Sequence, residues 1–211
     1  YTQLNSTPMN TIKKIRFFWK PLVFFICLIP TILILTDALE ITGHLSANPI
    51  EDIQDRLGNW GLRFIVLVLT ISPLKIITGK NWIILFRRMI GLFAFYYVFM
   101  HFLTWAILEQ NLNVSAVIED IIERKFITLG LISLALLFIM AVTSPNSIRR
   151  KMGEKWYQIH KSIYVVSVLG IWHYWWQVKL DAREPLIYAI IISILLLYRL
   201  LKFKKPTSSV R

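Results

Sequence analysis

Cysteine is almost absent from this chain: Cys27 is the only one in 211 residues. That excludes disulfide scaffolds, thiolate zinc sites, iron–sulfur clusters and covalent CxxCH haem attachment within one chain. Cys27 lies inside the first apolar run and reads as a small buried apolar residue. Acidic residues are also scarce, twelve against 24 Lys and Arg, for a formal charge of +12. The basic residues sit at the ends of apolar runs and build no aromatic-interleaved basic face, which argues against a nucleic-acid partner. Hydrocarbon is what the chain has in quantity. Hydrophobic residues make up 56%, against roughly 45–50% in soluble domains, and mean hydropathy is +0.57. Long uncharged runs then predict an integral membrane protein in contact with the lipid bilayer.

Six runs approach the ~20 apolar residues a transmembrane helix needs: 20–39, 60–78, 84–108, 126–144, 157–178 and 185–202. The expected fold is an all-α six-transmembrane-helix bundle over 20–202, with an N-terminal segment 1–19 and a basic tail 203–211. The opening YTQLNSTP lacks the look of a signal peptide, and the run after Pro21 reads as a retained helix. No internal repeat or second domain is evident.

Charge placement predicts orientation. With a cytoplasmic N-terminus, the inner segments hold 18 of the 24 basic residues, including Lys13, Arg16, Arg87, Arg88, Arg149 and Lys204. Eleven of the twelve acidic residues fall outside, Glu154 being the exception. This positive-inside pattern predicts that both termini are cytoplasmic. Trp105, Trp175 and Trp176 then suit an aromatic belt at the outer boundary.

The four histidines carry the chemistry. His44 reads as an outer-loop residue. A lone membrane histidine bonded to a hydroxyl or carbonyl is an ordinary structural outcome, but three are set in aromatic, apolar surroundings: His101 in span three, His160 and His173 in span five. No carboxylate lies deep in those spans to complete a proton relay, and uncharged imidazoles in such a setting suit axial ligation of haem iron. At 1.5 Å per residue, His101 lies ~20 Å from Arg88 at the inner edge, and His173 lies ~20 Å beyond His160. Depth therefore pairs His101 with His173 and leaves His160 near the cytoplasmic face. His160 is a candidate for a second, inner haem, but the position fourteen before His101 is Arg87, so that haem would have an unusual second ligand, water, or none. Arg87 and Arg88 serve as inner-face anchors or as partners for haem propionates or a flavin phosphate.

The stretches NPIEDIQDRLGNWGLRF, TISPLK, RRMIGLFAFYYVFMHF, TLGLISLALLFIMAVTS, GEKWYQIHKSIY, HYWWQVK and PLIYA occur in order across residues 48–190. Together they resemble the MsrQ (YedZ) family of haem-binding membrane subunits, within the ferric-reductase-like membrane domains. The resemblance implies a bacterial inner-membrane, multi-pass subunit carrying haem b, one or two per chain, with His101, His160 and His173 at the family's functional histidines. It also implies FMN as a second cofactor. Electrons would come from the quinone pool or a cytosolic flavin reductase and pass to a periplasmic molybdopterin methionine sulfoxide reductase that repairs oxidised proteins. The expected chain is an electron-transfer subunit with no substrate-reducing site of its own, and any dehydrogenase would be another chain. The competing readings are a stand-alone ferric- or oxygen-reducing cytochrome b and a transporter with histidine proton relays.

Overall fold

A computed structural model describes residues 9–178 and 181–203; the expectations for 1–8 and for the tail beyond Phe203 lie outside them. The described residues form ten α-helices: α1 Met9–Lys14, α2 Lys20–Ala38, α3 Pro49–Thr78, α4 Arg87–Thr104, α5 Val114–Glu123, α6 Lys125–Val142, α7 Asn146–Met152, α8 Glu154–His160, α9 Ser162–Gln177 and α10 Arg183–Phe203. A π-helical turn, Ile15–Trp19, joins α1 to α2 without a break. Much of the expected N-terminal segment is therefore helical.

Among the described residues, five helices are long and apolar enough to cross a membrane: Asn10–Ala38, Pro49–Thr78, Asn81–Glu109, Lys125–Val142 and Arg183–Leu201. The segment expected at 157–178 is divided. Lys161 forms a turn between α8 and α9. The sixteen residues of α9 rise about 24 Å, short of the ~30 Å hydrocarbon core unless α8 is added.

The second expected span, α3, starts well before residue 60. Asn48 caps it by accepting a hydrogen bond from the Glu51 N–H, and Pro49 fills its first turn with Glu51 and Asp52. Proline there needs no N–H partner, and carboxylates suit the positive end of the helix. Gly79, in the left-handed region at φ 68°, closes the other end.

α3 packs most extensively against α4, and α6 against α9. The α3–α4 contact is close because Gly61 faces Val98: a Cβ on Gly61 would lie 2.7 Å from Val98 Cγ2. Leu69, Ala94, Tyr97, Ile163 and Val166 are buried where these helices meet. Tyr97 also holds α2, donating to the Cys27 carbonyl at 2.7 Å and accepting from Thr31 Oγ1 at 3.0 Å. Phe25, Ile29, Leu33, Ile190, Ile194 and Leu197 face outward and exposed, as lipid-facing side chains do.

A short helix not foreseen as an element, α5, follows the end of α4. Buried Asp120 accepts from Trp105 Nε1 at 3.3 Å and Gln110 Nε2 at 2.7 Å, and pairs with Arg124 at 3.0 Å. Trp105 is therefore a buried strut rather than part of an aromatic belt. Trp172, Trp175 and Trp176 are exposed.

Candidate functional site

The chain places His101 near the end of α4 and His173 near the end of α9. The structure brings them together, with ring centroids 6.1 Å apart and planes at 88°. Each ring is tied to the helix that its own helix packs against. His101 Nδ1 lies 2.8 Å from the Gln54 carbonyl oxygen of α3, and His173 Nδ1 lies 2.7 Å from the Phe126 carbonyl oxygen of α6. A carbonyl can only accept, so each ring carries its hydrogen on Nδ1 and keeps a lone pair on Nε2. That is the tautomer a metal-ligating imidazole needs, and the carbonyl contact raises its basicity.

Among the described residues, no three His, Cys, Asp or Glu side chains come together to hold a metal ion. Two imidazoles suffice only for a metal that arrives with its equatorial ligands, as haem iron does. Imidazoles on opposite sides of one metal, with bonds of about 2 Å, have ring centroids roughly 6 Å apart. The observed 6.1 Å fits that arrangement.

Gly58 and Gly130 complete this site. A Cβ on Gly58 would lie 3.1 Å from His101 Nδ1, and one on Gly130 would lie 3.1 Å from His173 Nδ1. The two half-sites correspond residue for residue: adding 72 to Gln54, Gly58 and His101 gives Phe126, Gly130 and His173. Each histidine follows its carbonyl by 47 residues. This correspondence is local, confined to one carbonyl, one glycine and one histidine in each half. Its signal in sequence is a glycine 43 residues before each histidine, which hydropathy alone does not reveal.

The remaining expected site residues lie at the other end. His160 Nδ1 is 3.0 Å from the Trp156 carbonyl one turn earlier, and its ring stacks on the Trp156 indole with centroids 3.8 Å apart. Trp156 donates to the Thr143 carbonyl at 2.9 Å, and the Arg149 guanidinium covers its ring at 4.8 Å. The structure does not bring His160 to the other two histidines. Arg88 is engaged, donating to Ser144 Oγ at 2.9 Å and Asn146 Oδ1 at 3.0 Å. Arg87 and Arg149 both act electrostatically on His160. His44 is exposed in the α2–α3 connection.

Residues 57–171 match the family described as "Ferric reductase like transmembrane component". The chain is 44% identical over 177 residues to the protein-methionine-sulfoxide reductase heme-binding subunit MsrQ of Brucella anthropi, covering 82% of this chain and 80% of that one. It is 45% identical over 172 residues to the MsrQ proteins of Brucella ovis and Brucella canis, covering 80% of this chain and 78% of theirs. The chain belongs to the MsrQ family of ferric-reductase-like membrane proteins. No solved structure matches it. The ferric-reductase match begins at Leu57, so it covers Gly58, His101 and Gly130 but ends two residues before His173.

Proposed function

We propose that this MsrQ-family chain is the haem b electron conduit of a methionine sulfoxide reductase system, with His101 and His173 as the residues that would hold the haem iron. The observation that carries this reading is the adjacent imidazole pair, each ring held by a backbone carbonyl in the tautomer that leaves Nε2 free. A haem held there supplies a one-electron carrier in an apolar surround. The chain's own part is to orient the two ligands, exclude water with packed helices, and keep the pair towards the outer face.

On this reading α8 and α9 together make a sixth crossing, both termini are cytoplasmic, and the chain sits in a bacterial inner membrane. Electrons enter from the quinone pool or a cytosolic flavin reductase and leave to a periplasmic molybdopterin-containing methionine sulfoxide reductase. Arg87 is the better placed of the two neighbouring arginines to meet a propionate or the phosphate of FMN, because Arg88 is already bonded to Ser144 and Asn146. His160, with Arg87 in electrostatic range, is the candidate for a second, inner haem. The test is haem content and the reduced absorbance spectrum of the purified protein and its His→Ala variants. A protein without a haem spectrum would revive the transporter reading, and acceptor turnover by the isolated chain would favour a stand-alone reductase.

A further inference from the structure

We infer that Gly58 and Gly130 are positioning residues for the two imidazoles: each keeps a helix face bare, so that a histidine ring reaches the backbone carbonyl four residues earlier. The inference rests on the haem reading for its consequence, though not for its geometry.

A side chain on an α-helix tilts towards the helix N-terminus and covers the turn before it. A side chain at position 58 therefore leans over the carbonyl of residue 54, and one at 130 leans over that of residue 126. These are the carbonyls that the rings use, at 2.8 Å for Gln54 and 2.7 Å for Phe126. A Cβ at 58 would stand 3.1 Å from His101 Nδ1 and 3.2 Å from Cε1; at 130 it would stand 3.1 Å from both atoms of His173. Those distances are closer than ordinary contact, and the obstructed group is a side-chain ring, which can swing away while the helices stay in place. The added methyl thus displaces the ligand and spares the fold. Glycines on the two histidine-bearing helices, α4 and α9, are not under this constraint. A Cβ on Gly91 of α4 would meet only Val68 Cγ2, and one on Gly170 of α9 only Leu62 Cδ1, each at 3.8 Å.

The repetition argues against coincidence, since both glycines, both carbonyls and both histidines recur at the same offset on two separate helix pairs. The chemical consequence lies in the Nδ1–H contact. Losing it leaves the tautomer unfixed and makes the imidazole a weaker donor to iron, which favours the reduced metal.

The test uses the full-length protein in detergent with four variants: Gly58→Ala, Gly130→Ala, Gly91→Ala and Gly170→Ala. The first two are expected to fold, to retain haem about ten-fold less tightly or worse, and to shift the reduction potential of the remaining haem upward. Gly91→Ala and Gly170→Ala are expected to match the parent in both. A second readout needs no haem: in haem-free protein labelled with 15N-histidine, His101 Nδ1 should lose its protonated, hydrogen-bonded signature in Gly58→Ala, and His173 Nδ1 in Gly130→Ala. Parent-like retention, potential and nitrogen shifts in both variants would overturn the inference. So would failure of both to accumulate as folded protein, because the effect belongs to the ring and not to the fold. A parent that binds no haem defeats the haem reading alone, and the nitrogen shifts then decide the role of the glycines.

Discussion

His101 Nδ1 lies 2.8 Å from the carbonyl oxygen of Gln54, and that contact decides which face of the imidazole can do chemistry. The same arrangement joins His173 to Phe126 at 2.7 Å. Two helix pairs, α3 with α4 and α6 with α9, each supply one ring, so the site forms only where the pairs meet. A site built this way depends on helix packing as much as on its ligands.

Packing between α3 and α4 is therefore the first place to perturb it. Gly61→Ala sets a Cβ 2.7 Å from Val98 Cγ2 and 3.4 Å from the Val98 backbone nitrogen. Val98 is β-branched and held near one rotamer in a helix, so its methyl cannot turn clear as a ring can, and overpacking should cost about 1–3 kcal/mol. Thermal unfolding in detergent should show a lowered midpoint for Gly61→Ala and little change for Gly91→Ala.

Tyr97→Phe should loosen α2 without touching the histidines. The hydroxyl links Cys27 and Thr31 of α2 to α4, and its loss leaves a buried carbonyl without that donor. A cost of roughly 1–3 kcal/mol is expected. Unfolding should shift down while the haem spectrum stays that of the parent.

Asp120→Asn should free α5. Asp120 accepts from Trp105 and Gln110 and pairs with Arg124, and removing its charge weakens all three contacts. Amide hydrogen exchange should rise across 114–123 and leave α6 protected. Equal protection in parent and variant would mean that apolar packing alone holds the helix.

Orientation can be tested with the chain's single cysteine removed. In a Cys27→Ser background, Ser46→Cys should react with an impermeant maleimide from the periplasmic side, and Ser208→Cys only after the cytoplasmic side is opened. The reverse labelling would contradict the positive-inside reading.

Much of this was legible in the residues, for reasons that differ by feature. Uncharged runs and a regular rise per residue put His101 and His173 at one depth, and the structure brings those rings together. Hydropathy was a poorer guide to helix ends. The first eleven residues of α3 carry Glu51, Asp52, Asp55 and Arg56, which hide the capped helix start from hydropathy, and α5 is too short and too acidic to stand out from a loop. Trp105 looked like a boundary residue until its indole was seen bonded to Asp120. Least legible were Gln54 and Phe126, whose function lies in backbone carbonyls, and Gly58 and Gly130, whose contribution is the absence of a side chain. Those emerge only when the two helix pairs are superimposed by sequence offset.

At the α8 end, His160 stacks on Trp156, apart from the His101–His173 pair. If an inner haem is held there, His160→Ala should leave about one haem per chain while the outer site keeps its spectrum. An unchanged stoichiometry removes His160 from the ligands and leaves it as part of the Arg149–Trp156 stack.

The most direct measurement is haem per chain, with the reduced absorbance spectrum, for the parent, His101→Ala and His173→Ala purified side by side. Most of the bound haem should be lost in each variant, with His44→Ala unchanged. Parent-like haem content and spectra in both variants would contradict the pairing of His101 with His173.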